Sequence, residues 1–117
     1  VSAEGGPKAR LEHRTADASA NPYTAVAAVL QAARLGIENG YTRPPMETGD
    51  GFDNTDAKEG TAIDLKGATA DLKADTVLAE AVGAGLVANH VFMKEKEVKK
   101  TRDLEGDALR DFYVYFV

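Results

Sequence analysis

The sequence predicts a mainly α fold of four to five helices with one N-terminal strand. Three observations lead to this prediction. Asn21 and Pro22 form a favourable helix start, and apolar residues follow them at helical spacing. Asp64 and Asp75 each precede another apolar-periodic segment, where N-cap residues belong. Residues 8–14 alternate charged and uncharged side chains with the period of two that a strand requires.

The predicted elements are, in order, a strand over 8–14 and helices over about 22–39, 65–73, 76–82, 86–101 and 107–113. The first helix is rich in alanine, which is the best helix former and allows close approach by a neighbouring element. We therefore predict that this helix is buried and packs on a sheet. Gly40 suits the position just after its end.

Residues 41–63 carry turn signals throughout, including Pro44-Pro45 and Asp50-Gly51, and are predicted to form a loop. The aspartate-rich run over 50–56 lacks the spacing and the terminal glutamate of an EF-hand, which favours a solvated loop over a calcium site. The mixed-charge run over 94–100 indicates a solvated helix face with pairs such as Glu95–Lys99. Asp107 is expected to cap the last helix.

Composition narrows the class of protein. A chain of 117 residues is one small domain at most, and its net charge of -5 argues against a nucleic-acid partner. The absence of cysteine excludes disulfides and thiolate metal sites and fits a cytoplasmic protein. The longest apolar run, residues 25–30, is far shorter than a membrane span. Because the first residue is Val1, we expect a processed or truncated product, or a piece cut from a longer polypeptide.

The charged face of the predicted strand is the first candidate functional site. Arg10, Glu12 and Arg14 share that face at spacings of roughly 6–7 Å, which is twice the rise per residue. One interpretation is a salt-bridged ladder on a solvated sheet face. The other is an anion and metal site, because a carboxylate binds hard cations and forked guanidinium groups bind carboxylate or phosphate oxygens.

The residues around this motif favour the second interpretation. A composite string resembles the glutamine synthetase family: Pro7-Lys8-Ala9-Arg10-x-Glu12-x-Arg14, followed by Asp17-x-x-Ala20-Asn21-Pro22-Tyr23 and an alanine-rich helix. The resemblance extends through the later helices to the aromatic end near Tyr113 and Tyr115. It implies that residues 1–117 are the C-terminal segment of an α+β catalytic domain of that family.

The resemblance also implies a reaction and roles for four residues. In this family ATP phosphorylates the side-chain carboxylate of glutamate, and ammonia then displaces phosphate, with Mg²⁺ or Mn²⁺ bound. By matching the motif, Glu12 would be a metal ligand, and Arg10 and Lys8 would lie on the nucleotide side. Arg14 would contact the glutamate carboxylate or the transferring phosphoryl group. The family further implies a homo-oligomer in which the tail over 112–117 docks on a neighbouring subunit, although docking into the chain's own core remains open.

Three functions stay open from the sequence. The chain is part of a glutamine synthetase, part of a sister ligase that joins glutamate to an organic amine, or a helical oligomerisation module without activity. For either ligase we expect the isolated chain to be inactive, because one carboxylate cannot complete a Mg²⁺ site of about six oxygens.

Overall fold

The computed structural model describes residues 6–17, 19–43, 45 and 60–115. The helices in those residues are α1 (Pro22–Glu38), α2 (Leu65–Ala74), α3 (Thr76–Val82), α4 (Ala84–Thr101) and α5 (Gly106–Val114). The mainly helical fold with five helices is therefore confirmed. Most of the predicted loop, including the aspartate-rich run over 50–56, lies outside the described residues.

The N-terminal strand predicted over 8–14 is not confirmed. Gly6–Lys8 forms one 3₁₀ turn, closed by a hydrogen bond from the Ala9 N–H to the Gly6 carbonyl at 3.0 Å. Residues 9–15 have no regular secondary structure. A strand satisfies its backbone donors and acceptors by pairing with a neighbour, and the described part of the chain contains no strand to pair with.

Helix α1 begins as the sequence predicts. The Asn21 Oδ1 atom accepts hydrogen bonds from the N–H groups of Tyr23 at 2.9 Å and Thr24 at 3.4 Å, and Pro22 occupies the first helical position. The helix ends before Gly40, whose φ of 62° is accessible to glycine without strain.

The prediction that α1 is buried is wrong for this chain. None of the residues of α1 is buried, and its packing within the fold is against α3. The large side chains of Tyr23, Leu30 and Ile37 are exposed, while the alanines Ala25 and Ala28 face the other helices. The physical reason is that the sheet expected beneath α1 is not part of the described chain.

Helices α2 and α3 are capped by the predicted aspartates. Asp64 Oδ1 accepts from the Gly67 N–H at 2.6 Å, and Asp75 Oδ1 accepts from the Leu78 N–H at 2.9 Å. Gly83 then separates α3 from α4 with a φ of 122°, and the two helix axes differ in direction by 114°. Helix α4 starts directly after that glycine, two residues before the predicted start.

The core lies between α2, α3 and α4. Val87 and Val91 on α4, each 7% exposed, are the buried hydrophobic residues of the described chain, and Thr69 on α2 is the buried polar one. Lys73 on α2 and Glu95 on α4 close the edge of this packing with an ion pair of 2.8 Å. The carboxylate of Glu95 is thus paired between helices with Lys73, whose hydrogen bond lowers the pKa of Glu95, and the charge of Lys99 on its own helix lowers that pKa further.

Helix α5 starts one residue earlier than predicted. Its N-cap is Glu105 and Asp107 lies in its first turn, so the prediction that Asp107 is the cap is wrong. The glycine at 106, with a φ of 51°, allows the chain to turn into the helix.

The helices form a loose assembly. The Cα radius of gyration is 16.9 Å, whereas a compact domain of 100 residues has a radius of about 13 Å. In the described residues, no single helix is long and apolar enough to cross a bilayer. Only α3 and α4 taken together reach that length and apolarity, across their 114° bend.

Candidate functional site

The Arg10–Glu12–Arg14 motif forms a closed ionic cluster in the exposed N-terminal segment. Glu12 Oε1 accepts a hydrogen bond from the Arg10 Nε atom at 2.7 Å, and Glu12 Oε2 accepts one from the Arg14 Nη2 atom at 2.7 Å. Each oxygen of the carboxylate thus faces a different guanidinium. The three side chains therefore meet on one side of the segment, as the spacing of two residues predicts, although residues 9–15 have no regular secondary structure.

The two arginines determine the charge state of this carboxylate. Hydrogen bonds from Arg14 and then from Arg10 lower the pKa of Glu12, and the same pairing raises the pKa of Arg14. Glu12 is therefore ionised throughout the neutral range. Its side chain is 39% exposed, so that the carboxylate remains accessible to a ligand approaching from solvent.

The donor set around Glu12 fits one metal ligand and not a complete metal site. Among the described residues there is no group of three or more histidine, cysteine, aspartate or glutamate side chains that could hold a metal ion. The nearest histidine in sequence, His13, has its Nε2 atom 2.8 Å from the hydroxyl of Thr15. A hard cation needs about six oxygens, so the other ligands would have to come from outside this chain.

Of the other predicted site residues, Arg10 and Arg14 are the two that the structure brings together around Glu12. The side chain of Lys8, which the resemblance assigns to the nucleotide side, lies outside the described part of the chain. Lys8 itself is the last residue of the 3₁₀ turn, two residues before Arg10.

A tight turn connects the motif to helix α1. The Asp17 carboxylate accepts hydrogen bonds from both the hydroxyl and the backbone N–H of Ser19, the latter at 2.7 Å. Both hydrogen bonds lower the pKa of Asp17, and the bond from the Ser19 hydroxyl has the larger effect. The Asp17 carbonyl also accepts from the Ala20 N–H at 3.1 Å, so the chain enters the Asn21 cap in a defined direction. The position of the motif therefore depends on the start of α1.

A groove of about 1060 Å³ begins at this turn and runs between the helices. Its apolar lining comes from α1, α2, α3 and α4. Its polar lining includes Asp17 and Asn21 near the motif, and Lys94, Glu97 and Tyr113 on α4 and α5. The beginning of α1 and the aromatic end of α5 are therefore on the same groove.

A partly buried polar cluster holds α5 against α4. The Tyr113 hydroxyl donates to Glu97 Oε1 at 2.8 Å, and Lys94 Nζ lies 2.8 Å from Glu97 Oε2. Sequence reasoning missed this cluster, because only the spacing of Lys94 and Glu97 by three residues signals a pair and nothing local points to Tyr113. The ring of Tyr113 also contacts that of Phe112 edge-to-face, with centroids 5.1 Å apart.

The residues at the C-terminal end of α5 differ in how far they are buried. Phe112 and Tyr113 are half-buried against the chain itself, whereas Val114 and Tyr115 are exposed. Phe116 and Val117 lie outside the described residues. The docking of the tail over 112–117 on a neighbouring subunit stays a prediction, and Val114 and Tyr115 are the described residues available for it.

We expect the Tyr113→Phe substitution to lower the free energy of unfolding by about 1 kcal/mol, because it removes a hydrogen bond to a partly buried carboxylate. Urea unfolding of the two proteins at neutral pH measures this difference. Tyr115→Phe is the matched control, since Tyr115 is exposed and should unfold like the parent. Equal stability of the Tyr113→Phe protein and the parent would contradict the role of the bond.

The stability difference between the Tyr113→Phe protein and the parent depends on pH through the titration of Glu97 and Tyr113. Burial opposes ionisation of Glu97, but hydrogen bonds from Lys94 and Tyr113 outweigh it and lower its pKa below 4.5. Burial, followed by the bond to Glu97, raises the pKa of Tyr113 above 10.0. The stabilisation by Glu97 is therefore lost as the pH falls below 4.5, and that by Tyr113 is lost as the pH rises above 10.0. The stability difference between Tyr113→Phe and the parent should shrink in both directions.

Comparison with known proteins gives one family. Residues 1–113 match the family model described as glutamine synthetase, catalytic domain. The glutamine synthetase of Thermotoga maritima is 35% identical over 101 residues, which are 81% of this chain and 23% of that protein. The chain thus spans about a quarter of the length of this curated relative. No solved structure matches the chain.

Proposed function

We propose a function from one premise: this chain belongs to the family of glutamine synthetase catalytic domains. On that premise it is part of an ATP-dependent ligase that joins ammonia to the side-chain carboxylate of glutamate. The observation that carries the proposal is the match of residues 1–113 to that family, a stretch that includes Glu12 and the two arginines paired with it.

The chemistry explains why such a cluster is useful. A carboxylate has no adequate leaving group, so ATP first transfers its terminal phosphoryl group to the glutamate oxygen and ADP leaves. Ammonia then attacks the acyl carbon, the nitrogen loses one proton to solvent, and phosphate leaves with the electron pair of the C–O bond. The first step brings three phosphates and a carboxylate into one cleft, and fixed cationic groups stabilise that charge.

Each residue of the motif has a different role in the proposed reaction. In the proposed arrangement Arg10, with Lys8, contacts nucleotide phosphate, and Arg14 contacts the glutamate carboxylate or the transferring phosphoryl group. Glu12 orients both guanidiniums and supplies one oxygen to a divalent cation, Mg²⁺ or Mn²⁺, whose charge would offset that of the phosphates when bound. None of these residues transfers a proton, so their contribution is electrostatic and positional.

We expect the full-length enzyme to form glutamine and this chain alone to be inactive. The reason is that the described residues contain no group of three or more side chains that could complete a metal site around Glu12, and that the chain covers 23% of its relative. A coupled assay of ADP release with glutamate, ammonia and Mg²⁺ measures both proteins. Turnover by the chain alone, or a full-length protein without glutamate-dependent ADP release, would contradict the proposal. Replacing ammonia by a panel of organic amines separates the two ligase alternatives.

A further inference from the structure

Asp17 fixes the turn that connects the motif to helix α1 through three hydrogen bonds. Its Oδ1 atom accepts from both the hydroxyl and the backbone N–H of Ser19, the latter at 2.7 Å, and its carbonyl accepts from the Ala20 N–H at 3.1 Å. An aspartate that bonds to the backbone two residues later fixes the direction of a chain at a turn. The side chain of Asp17 is therefore what closes this connection.

The turn continues directly into the first turn of helix α1. Asn21 Oδ1 accepts from the Tyr23 N–H at 2.9 Å, and the Asn21 carbonyl accepts from the Thr24 hydroxyl at 3.0 Å. Asp17 and Asn21 both line the groove between the helices. Hydrogen bonds between side chains and backbone thus run from Asp17 to the start of α1, a helix of 17 residues.

The motif has no regular backbone structure that would fix its own direction. Residues 9–15 belong to no helix or strand, and the charged side chains of the motif are paired with one another. The nearest backbone hydrogen bonds of the described residues lie on either side of the motif, donated by Ala9 and by Ala20. The direction of the Arg14 side chain therefore depends on how the two ends of this stretch are held.

Arg14 is the motif residue nearest to the turn along the chain. It precedes Asp17 by three residues, which span at most about 11 Å, whereas Arg10 precedes it by seven, which span up to about 25 Å. Both arginines are paired with Glu12 and neither with Asp17. A change at the turn should therefore displace Arg14 more than Arg10, and it should act through the backbone rather than through the charge of Asp17.

We infer that Asp17 is a positioning residue for Arg14, an inference that rests on the proposed function, in which Arg14 contacts the glutamate carboxylate or the transferring phosphoryl group. Both bonds from Ser19 go to one oxygen of Asp17. The amide oxygen of asparagine has two lone pairs and can accept both bonds, while alanine can accept neither. Asparagine at position 17 should therefore hold Arg14 in place, and alanine should not.

Steady-state kinetics of the full-length enzyme and four variants test the inference. Asp17→Ala removes the acceptor, Asp17→Asn keeps it, and Ser19→Ala removes the hydroxyl bond alone. Asp75→Ala is the matched control, because Asp75 also accepts from a backbone N–H before a helix but lies outside the motif and its turn. Circular dichroism and thermal unfolding establish that each variant is folded.

We expect Asp17→Ala to lower kcat/KM for glutamate about 10-fold and kcat/KM for ATP by less than about 3-fold, because the displaced group is the one assigned to glutamate. Asp17→Asn should restore both values to within about 2-fold of the parent. Ser19→Ala should lower kcat/KM for glutamate by about 3-fold, so the test does not depend on the folding of Asp17→Ala. Asp75→Ala should leave the ratio of the two values unchanged.

An Asp17→Asn enzyme as impaired as Asp17→Ala, or an equal loss toward glutamate and ATP, would overturn the inference. Activity of the parent distinguishes this failure from failure of the proposed function. A parent without glutamate-dependent ADP release would contradict the proposed function and the inference with it. An active parent whose Asp17→Ala and Ser19→Ala variants keep the same kcat/KM for glutamate would overturn the inference alone.

Discussion

Replacing Glu12 by glutamine in the full-length enzyme is expected to lower ligase turnover by roughly 10²- to 10³-fold, the usual cost of removing one group that stabilises charge in the transition state. Glutamine keeps the shape of the side chain but removes the negative charge that pairs with Arg10 and Arg14. It also removes a charged oxygen proposed for the divalent cation. Steady-state ADP release at saturating glutamate, ammonia and ATP measures the effect. In a titration with Mg²⁺, the variant should bind the cation more weakly and need a higher concentration for half-maximal turnover.

Glu105→Gln is the matched control for this substitution. Glu105 is also exposed, but its side chain makes no capping hydrogen bond and it lies before α5, so turnover should not change. If Glu12→Gln and Glu105→Gln behaved alike in both turnover and metal dependence, the motif would be an inactive remnant. The oligomerisation module would then be the better description of this chain.

The Arg14→Lys substitution is expected to lower kcat/KM for glutamate by roughly 10- to 100-fold, which corresponds to one hydrogen bond to a charged group of about 1.5–3 kcal/mol. Lysine keeps the positive charge and loses the planar fork that can hold Glu12 and a substrate oxygen together. The measurement is a set of initial rates with glutamate varied at saturating ATP and ammonia, followed by the same set with ATP varied.

Two further variants test whether the loss of kcat/KM for glutamate is specific to Arg14. Arg10→Lys should lower kcat/KM for ATP more than for glutamate, because Arg10 is proposed to contact nucleotide phosphate. Arg102→Lys should leave both values unchanged, since Arg102 is exposed and is paired with its neighbour Asp103. An Arg14→Lys enzyme that lost affinity for ATP alone would reverse the proposed roles of the two motif arginines.

The features that the sequence predicts correctly are local ones. The caps at Asn21, Asp64 and Asp75 satisfy backbone groups two or three residues away, so residue type and position suffice to predict them. The ionic cluster of the candidate site is equally local, because Glu12 pairs with residues two positions to either side.

The features that the sequence does not predict depend on distant parts of the chain. The Lys73–Glu95 and Tyr113–Glu97 contacts join different helices, and helix packing decides them. The patterns that predict the strand over 8–14 and the burial of α1 assume a sheet, which no described residue supplies. The proposed metal, nucleotide and glutamate sites need groups beyond the described residues, so the sequence predicts the Arg10–Glu12–Arg14 cluster but not the geometry of a complete site.

The bend at Gly83 sets the direction in which helix α4 leaves α3. Its φ of 122° lies where L side chains are strained, so a substitution there would favour another torsion and oppose the packing of α4 against α2. Helix α4 carries Glu97, whose carboxylate accepts the hydrogen bond from the Tyr113 hydroxyl. The backbone angle at one glycine therefore also bears on where the tyrosine of α5 lies.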